Sequence, residues 1–210
     1  MHILSAKNIS FYYPHVDFKI LDDISVSIEA GSYTAVIGDN GSGKSTFARI
    51  ICGLEDSYSG TVNISKDALI GLIFQNPKNQ IISGLVSRDT AIGPQNLSLS
   101  KAETELRVIE SLNVTDMLDR ADSSTMALSL GQTQKVALAG IIALRPNLLI
   151  LDEPLSMVDP ESRKDIYEFL DYWHKRGNTI IHITHDREAI LQAENIICME
   201  KGKIIFDGKR

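Results

Sequence analysis

The chain has 210 residues, an ordinary apolar content of 43% and a formal net charge of −6. That length suits one large domain with a sizeable core, and the acidic balance gives no bulk reason to expect nucleic acid or an anionic membrane surface as partner. Two distant cysteines, Cys52 and Cys198, make neither a disulfide framework nor a metal site, the opening "MHILSAKNIS" is no signal peptide, and the longest apolar run, Val136 to Leu144, is too short to cross a bilayer.

In chain order, the first elements read as strands. In "ISVSIEAG", Ile24, Val26 and Ile28 alternate with Ser25, Ser27 and Glu29 until Gly31 ends the run. "YTAVIG" follows as a buried strand. "GDNGSGKST" then fills the spacing G-x-x-x-x-G-K-[ST] from Gly38 to Ser45, between that strand and a helix predicted over Thr46 to Cys52. Glycines there let backbone N–H groups curl round a polyphosphate, and the helix N-terminus adds positive potential. Lys44 is placed to reach the β- and γ-phosphates, and Ser45 to hold Mg²⁺. "GTVNIS" and "ALIGLIF" read as strands again.

From about residue 76 to 145 the period becomes helical. Ser100 and Glu103 form a capping-box pair. Leu106, Ile109 and Asn113 follow at helical spacing, with Val108 and Leu112 on a neighbouring row. A second such pair, Ser129 and Gln132 in "LSLGQTQKVALAG", opens a helix expected to end at Arg145 before Pro146. Capping accounts for Ser129 and Gln132 but not for Gly131, a helix-weakening residue in the first turn. A glycine there lets an anion approach the free N–H groups. The Gly-rich loop already supplies one phosphate site, so this helix is expected to grip nucleotide bound to another subunit.

The last third alternates strand and helix, which implies a parallel α/β core. "LLILD" reads as a strand buried on both faces. It ends in Asp152, placed to coordinate Mg²⁺ directly or through water, and Glu153 follows, able to polarise an attacking water. Asp159-Pro160 starts a helix whose stripe of Ile166, Phe169, Leu170 and Trp173 reads as core packing, with Gly177 as its stop. "TIIHIT" is the next buried strand, and "NIICMEKGKIIFDG" a terminal hairpin.

Over nearly all 210 residues, these motifs and their order resemble the ATP-binding subunit of ATP-binding-cassette (ABC) transporters. Gly38, Asp39, Asn40, Gly41, Ser42, Gly43, Lys44, Ser45 and Thr46 resemble the Walker A stretch. Leu148 to Glu153 resembles Walker B with its glutamate. Gln75 in "IFQNPKNQ" matches the Q-loop, and Leu128 to Gln132 the LSGGQ signature, with Leu130 where the family has glycine and Lys135 where arginine is common. "SMVD", ending in Asp159, resembles the D-loop. His185 in "ITHD" matches the switch histidine, and Tyr13 falls where the family stacks an aromatic on adenine. "FQNPKNQ", "SRDTAIGPQNL" and "KVALAGIIALRPNLLILDEPLSMVDP" are further similar to the ATPases of energy-coupling-factor and cobalt or nickel uptake transporters. Many of these continue past the hairpin into a C-terminal helical region, whereas the sequence here ends at Arg210.

The resemblance implies one ABC ATP-binding domain over residues 1–210: an α/β P-loop NTPase core with a parallel sheet, a small antiparallel β region and a helical insert near 76–145. It implies ATP and Mg²⁺ as ligands. Ser45, Gln75 and Asp152 would lie near the cation, Glu153, His185 and Gln75 would act in hydrolysis, and Ser129, Gly131, Gln132 and Asp159 would face a partner's nucleotide. The implied partners are a second ABC ATPase, identical or similar, a transmembrane scaffold subunit and a substrate-binding membrane subunit, met at the cytoplasmic face of the membrane. The competing readings are a chromosome-maintenance or DNA-repair ATPase of the same cassette, and a subunit that senses ATP without turning it over. The short insert argues against the first, and intact Lys44, Asp152, Glu153 and His185 against the second.

Overall fold

The computed structural model describes residues 1–210. In chain order the elements are β1 (His2–Phe11), β2 (Leu21–Glu29), β3 (Tyr33–Ile37), α1 (Lys44–Ile51), β4 (Ser59–Ile64), β5 (Ile70–Ile73), α2 (Val86–Asn96), α3 (Lys101–Val114), α4 (Leu130–Leu144), β6 (Leu148–Asp152), α5 (Pro160–Lys175), β7 (Thr179–Ile183), α6 (Arg187–Gln192), β8 (Asn195–Glu200) and β9 (Lys203–Lys209). They fall into two compact units: residues 1–70, 147–152 and 173–210 in one, residues 71–146 and 153–172 in the other.

In the first unit β6, β7, β3 and β8 run parallel in that order, and β9 returns antiparallel along β8. Every residue of β6 and β7 is buried, as a central strand covered on both faces requires. That burial includes His182, whose Nδ1 lies 2.8 Å from the Tyr33 hydroxyl on β3. Desolvation pulls the His182 pKa down to about 3, so the ring is neutral at ordinary pH. A separate sheet, β2-β1-β4, is antiparallel. Ile24, Val26 and Ile28 of β2 are buried while the residues between them are exposed, so the alternation read from the sequence sets the inward face.

In the second unit α2, α3 and α4 close around Val86, Ala91, Val108, Leu112, Met117, Val136 and Ala139. The core row of α3 is therefore Thr104, Val108, Ser111 and Leu112. Leu106 and Ile109 are 47% and 52% exposed, so the sequence pattern, which offers two apolar rows, does not say which one is covered. The Ser100 cap is also one-sided. Its hydroxyl accepts from Glu103 N, but the Glu103 carboxylate turns to Arg107 Nε at 2.7 Å instead of reaching back. A charge-assisted bond within the helix outcompetes a bond to a neutral N–H. In α5, Ile166, Tyr167 and Leu170 are buried, whereas Phe169 and Trp173 keep partial exposure.

Candidate active site

β3 ends at Ile37, and the chain loops through Gly38–Gly43 into α1. Gly38 and Gly43 have φ of 142° and 101°, and a Cβ at either would overlap backbone, that of Met199 and of Ile20 respectively. Only glycine fits both positions. Asp39, Asn40, Gly41 and Ser42 complete the curl. Lys44 is 7% exposed and turns back into it, with Nζ donating to Gly38 O at 2.6 Å and Asp39 O at 2.9 Å. A loop of backbone N–H groups with an ammonium drawn into it is a receptor for polyphosphate.

Ser45 Oγ donates to Asp152 Oδ1 at 3.0 Å, joining the first turn of α1 to the end of β6. Asp152 is 6% exposed. Burial pushes its pKa up, while the Ser45 hydrogen bond and the charges of Arg49 and Lys44 oppose that rise. A hydroxyl beside a buried carboxylate fits a hard cation that takes oxygen ligands. No three His, Cys, Asp or Glu side chains gather into a cation cage, so the oxygen donors here are those of this one pair. Because β3, β6 and β7 are parallel neighbours, the Gly38 loop, Asp152 and His185 all follow strand C-termini at one edge of the sheet. That edge is where open α/β sheets bind ligands. His185 is exposed there, just ahead of Asp186, which caps α6. Tyr13 meets Phe11 edge-on, centroids 4.8 Å apart, and its hydroxyl is 3.3 Å from Thr46 Oγ1.

The remaining candidates belong to the second unit. Gln75 is exposed, on a loop whose base is pinned by Gln80. Phe74 N donates to Gln80 Oε1 at 3.2 Å, and Gln80 Nε2 donates to Leu72 O at 3.0 Å. Nothing in the local sequence pattern separates Gln80 from a solvated loop residue. Ser129 and Gln132 form the reciprocal capping box: Gln132 N donates to Ser129 Oγ at 3.3 Å and Ser129 N to Gln132 Oε1 at 3.0 Å.

Gly131 also has a close neighbour inside the chain. A Cβ there would stand 2.7 Å from Met157 O, so the helix start is pressed against the segment that follows β6. Leu130 is 39% exposed beside it. Glu153 has φ of 50°, a left-handed conformation that costs a non-glycine residue about 1–2 kcal/mol. Its carbonyl accepts from Ser156 N at 3.4 Å and Ser156 Oγ at 3.1 Å, so the chain reverses straight after Asp152. Asp159 Oδ1 accepts from Ser162 N at 2.9 Å; that bond leads the effects holding its pKa down to about 2.

The ABC transporter family profile matches residues 21–156. The chain belongs to the ABC transporter family. Among ABC proteins it is 38% identical to the energy-coupling factor transporter ATP-binding protein EcfA1 of Staphylococcus aureus, over 98% of this chain and 81% of that one. It is 39% identical to EcfA of Syntrophomonas wolfei, over 96% and 79%. Among solved ABC structures, cbiO1 of Clostridium perfringens, part of the transporter complex cbiONQ, superposes with a TM-score of 0.81 at 32% identity, over 99% of this chain and 88% of its own. The dimeric bacterial ABC transporter cassette MJ0796 gives 0.88 at 25% identity, over 98% of each chain. Its post-hydrolysis dimer carries ADP and Pi. This ABC chain is accordingly an ATPase, and no helix in it is long and apolar enough to cross a membrane.

Proposed function

We propose that this ABC ATPase energises an uptake transporter of the energy-coupling-factor type, taking in a vitamin or a metal ion. It works at the cytoplasmic face of the membrane, paired head to tail with a second ATPase and held by a transmembrane scaffold that carries the substrate-binding subunit. Likeness to energy-coupling factor ATP-binding proteins supports the transporter type, and the observation that carries the ATP-hydrolysing part of the reading is the Ser45–Asp152 pair beneath a glycine loop that encloses Lys44. Lys44 and the loop N–H groups bind the β- and γ-phosphates of ATP, and Tyr13 stacks on adenine. Ser45 and Asp152 would hold Mg²⁺, with Gln75 as a further oxygen donor, and the ion would supply charge neutralisation at the phosphate oxygens. Glu153 orients a water and takes its proton as the water oxygen bonds to the γ-phosphorus and the bond to the ADP oxygen breaks. His185 contacts the γ-phosphate. Ser129, Gly131 and Gln132 face the nucleotide held by the partner ATPase, and Asp159 lies at that junction. The result is positioning and electrostatic stabilisation, with no covalent enzyme intermediate.

For the scaffold, the surface that supports docking is a groove of about 580 Å³ between α2 and α3, floored by Ala91, Val108 and Leu112 with Lys101 and Glu105 in its lining. A short helix with an apolar face fits such a groove. The experiment is to purify the tagged chain from native membranes in mild detergent and identify what accompanies it, then measure turnover with Glu153→Gln. The expected result is a scaffold with a small substrate-binding membrane protein, ATP still bound, and hydrolysis slowed by about 10²-fold or more. Near-normal turnover in the assembled Glu153→Gln complex would remove Glu153 from its role, and a chain that comes alone or with nucleic acid would overturn the transport assignment.

A further inference from the structure

Lys135 is 7% exposed although it carries a charge. A buried ammonium needs counter-charge, and two carboxylates provide it: Asp159 Oδ2 at 3.3 Å and Asp116 Oδ2 at 3.5 Å. Asp116 follows α3, Lys135 is in the second turn of α4, and Asp159 precedes α5. Gly131 and Lys135 are four residues apart on α4 and so share one face of the helix. That face meets the segment after β6 twice, sterically where Gly131 abuts Met157 O and electrostatically where Lys135 reaches Asp159.

The segment is itself tied together. Glu153 O holds Ser156, Arg163 Nε donates to Val158 O at 2.8 Å, and Asp159 Oδ1 caps Ser162 N. A displacement of the first turns of α4 is therefore passed to residues 153–159 rather than absorbed between them, because packed contacts shift together. The geometry points to Lys135 as a positioning residue that locks the Glu153–Asp159 loop to the signature helix, so that the hydrolytic step depends on it more than nucleotide binding does. This rests on the role given to Glu153 above. It makes the lysine a mechanical tie within one chain, acting on the water-activating loop from the helix that faces the partner's ATP.

The test uses the assembled transporter and reads ATP affinity and single-turnover hydrolysis separately for Lys135→Met, Lys135→Arg, Asp159→Asn and the Met/Asn pair, with melting curves to show that each folds. Lys135→Met keeps the long apolar stem and removes the charge. It should slow hydrolysis by about 10- to 100-fold, the scale expected when a reacting group is misplaced by an ångström, with ATP affinity changed less than about threefold. Lys135→Arg should hold the rate to within about twofold, because it keeps the ion pair. The Lys135→Met/Asp159→Asn pair should be no slower than the slower single variant, since Lys135→Met already removes the link that Asp159→Asn breaks, together with the one to Asp116. Unchanged hydrolysis in Lys135→Met, an equal loss of affinity and rate, or additive losses in the pair would overturn the proposal. Glu153→Gln run alongside separates the two readings: if it is slow while Lys135→Met is normal, the positioning role alone fails, and if it is fast the role of Glu153 fails and the proposal with it.

Discussion

Gly131→Ala is the substitution for which helix propensity and packing disagree on the sign. Gly131 lies in the first turn of α4 with an ordinary helical backbone, so replacing it by alanine should on propensity alone stabilise the chain by up to about 1 kcal/mol. The new methyl would sit 2.7 Å from Met157 O, and ordinary contact begins at 3.4 Å, so helix and loop must part by 3.4 − 2.7 = 0.7 Å. Forcing atoms into a packed contact of this kind costs about 1–3 kcal/mol, and the obstacle is backbone, not a flexible side-chain end. The expected net effect is a loss of about 1 kcal/mol, a fall in melting temperature of about 2–4 °C for a chain of this size. Hydrolysis should fall more than stability, because the same 0.7 Å is imposed on the loop that begins at Glu153. Gly131→Asp should be worse again, adding bulk and a carboxylate where the partner's triphosphate is proposed to lie. Leu130→Gly, at a position 39% exposed, should cost no more than about 1 kcal/mol of helix propensity. The assays are differential scanning calorimetry on the chain and ATPase rate in the assembled complex. A Gly131→Ala chain that melts higher and hydrolyses normally would show that the Met157 contact does not constrain position 131.

Two further outcomes follow from buried ionisable groups. Asp152 has its folded pKa raised by burial, so the folded chain holds that proton more firmly than the unfolded chain, and stability falls as pH rises from the free-carboxylate range through the raised value. Asp152→Asn should therefore melt higher than the parent without nucleotide at pH 7, by a margin that shrinks in acid, while losing Mg²⁺-dependent hydrolysis; a lower melting point at pH 7 would refute this. His182 is depressed to about 3, so the unfolded chain binds more protons between that value and about 6.5, and stability is lost as pH falls through that window, by up to a few kcal/mol. His182→Leu should flatten the dependence of melting temperature on pH below about 6.5 even if it melts lower throughout, and an unchanged slope would show that the ring is not responsible.

The strands were legible because burial on one face or two leaves a two-residue period or an unbroken apolar run, as Ile24, Val26 and Ile28 and the stretch Leu148–Asp152 display. The glycine loop was legible because its spacing is dictated by backbone geometry that few other functions require. Less was readable where a choice depends on a distant neighbour. Leu106 and Ile109 look as suited to the core as Val108 and Leu112, and it is packing with Val86, Ala91, Val136 and Ala139 that selects the second row. Gly131 reads as space left for an anion, and the separate close approach of the Met157 carbonyl to this position comes from a segment with no sequence mark of it. Gln80 and Lys135 are ordinary surface types by composition; their roles come from partners six or more residues away.

The left-handed backbone at Glu153 sets two demands on one position that no single residue meets. The turn after β6 would be relaxed by glycine, which reaches that conformation without steric cost, or eased by asparagine. The proton transfer proposed for this position needs a carboxylate, which neither of them supplies. A population of variants sorted only for resistance to heat would thus drift toward Glu153→Gly, and its survivors would be firmer folded and catalytically silent. A population sorted for transport would keep the strained glutamate and collect its compensating gains in stability at other sites, away from the turn.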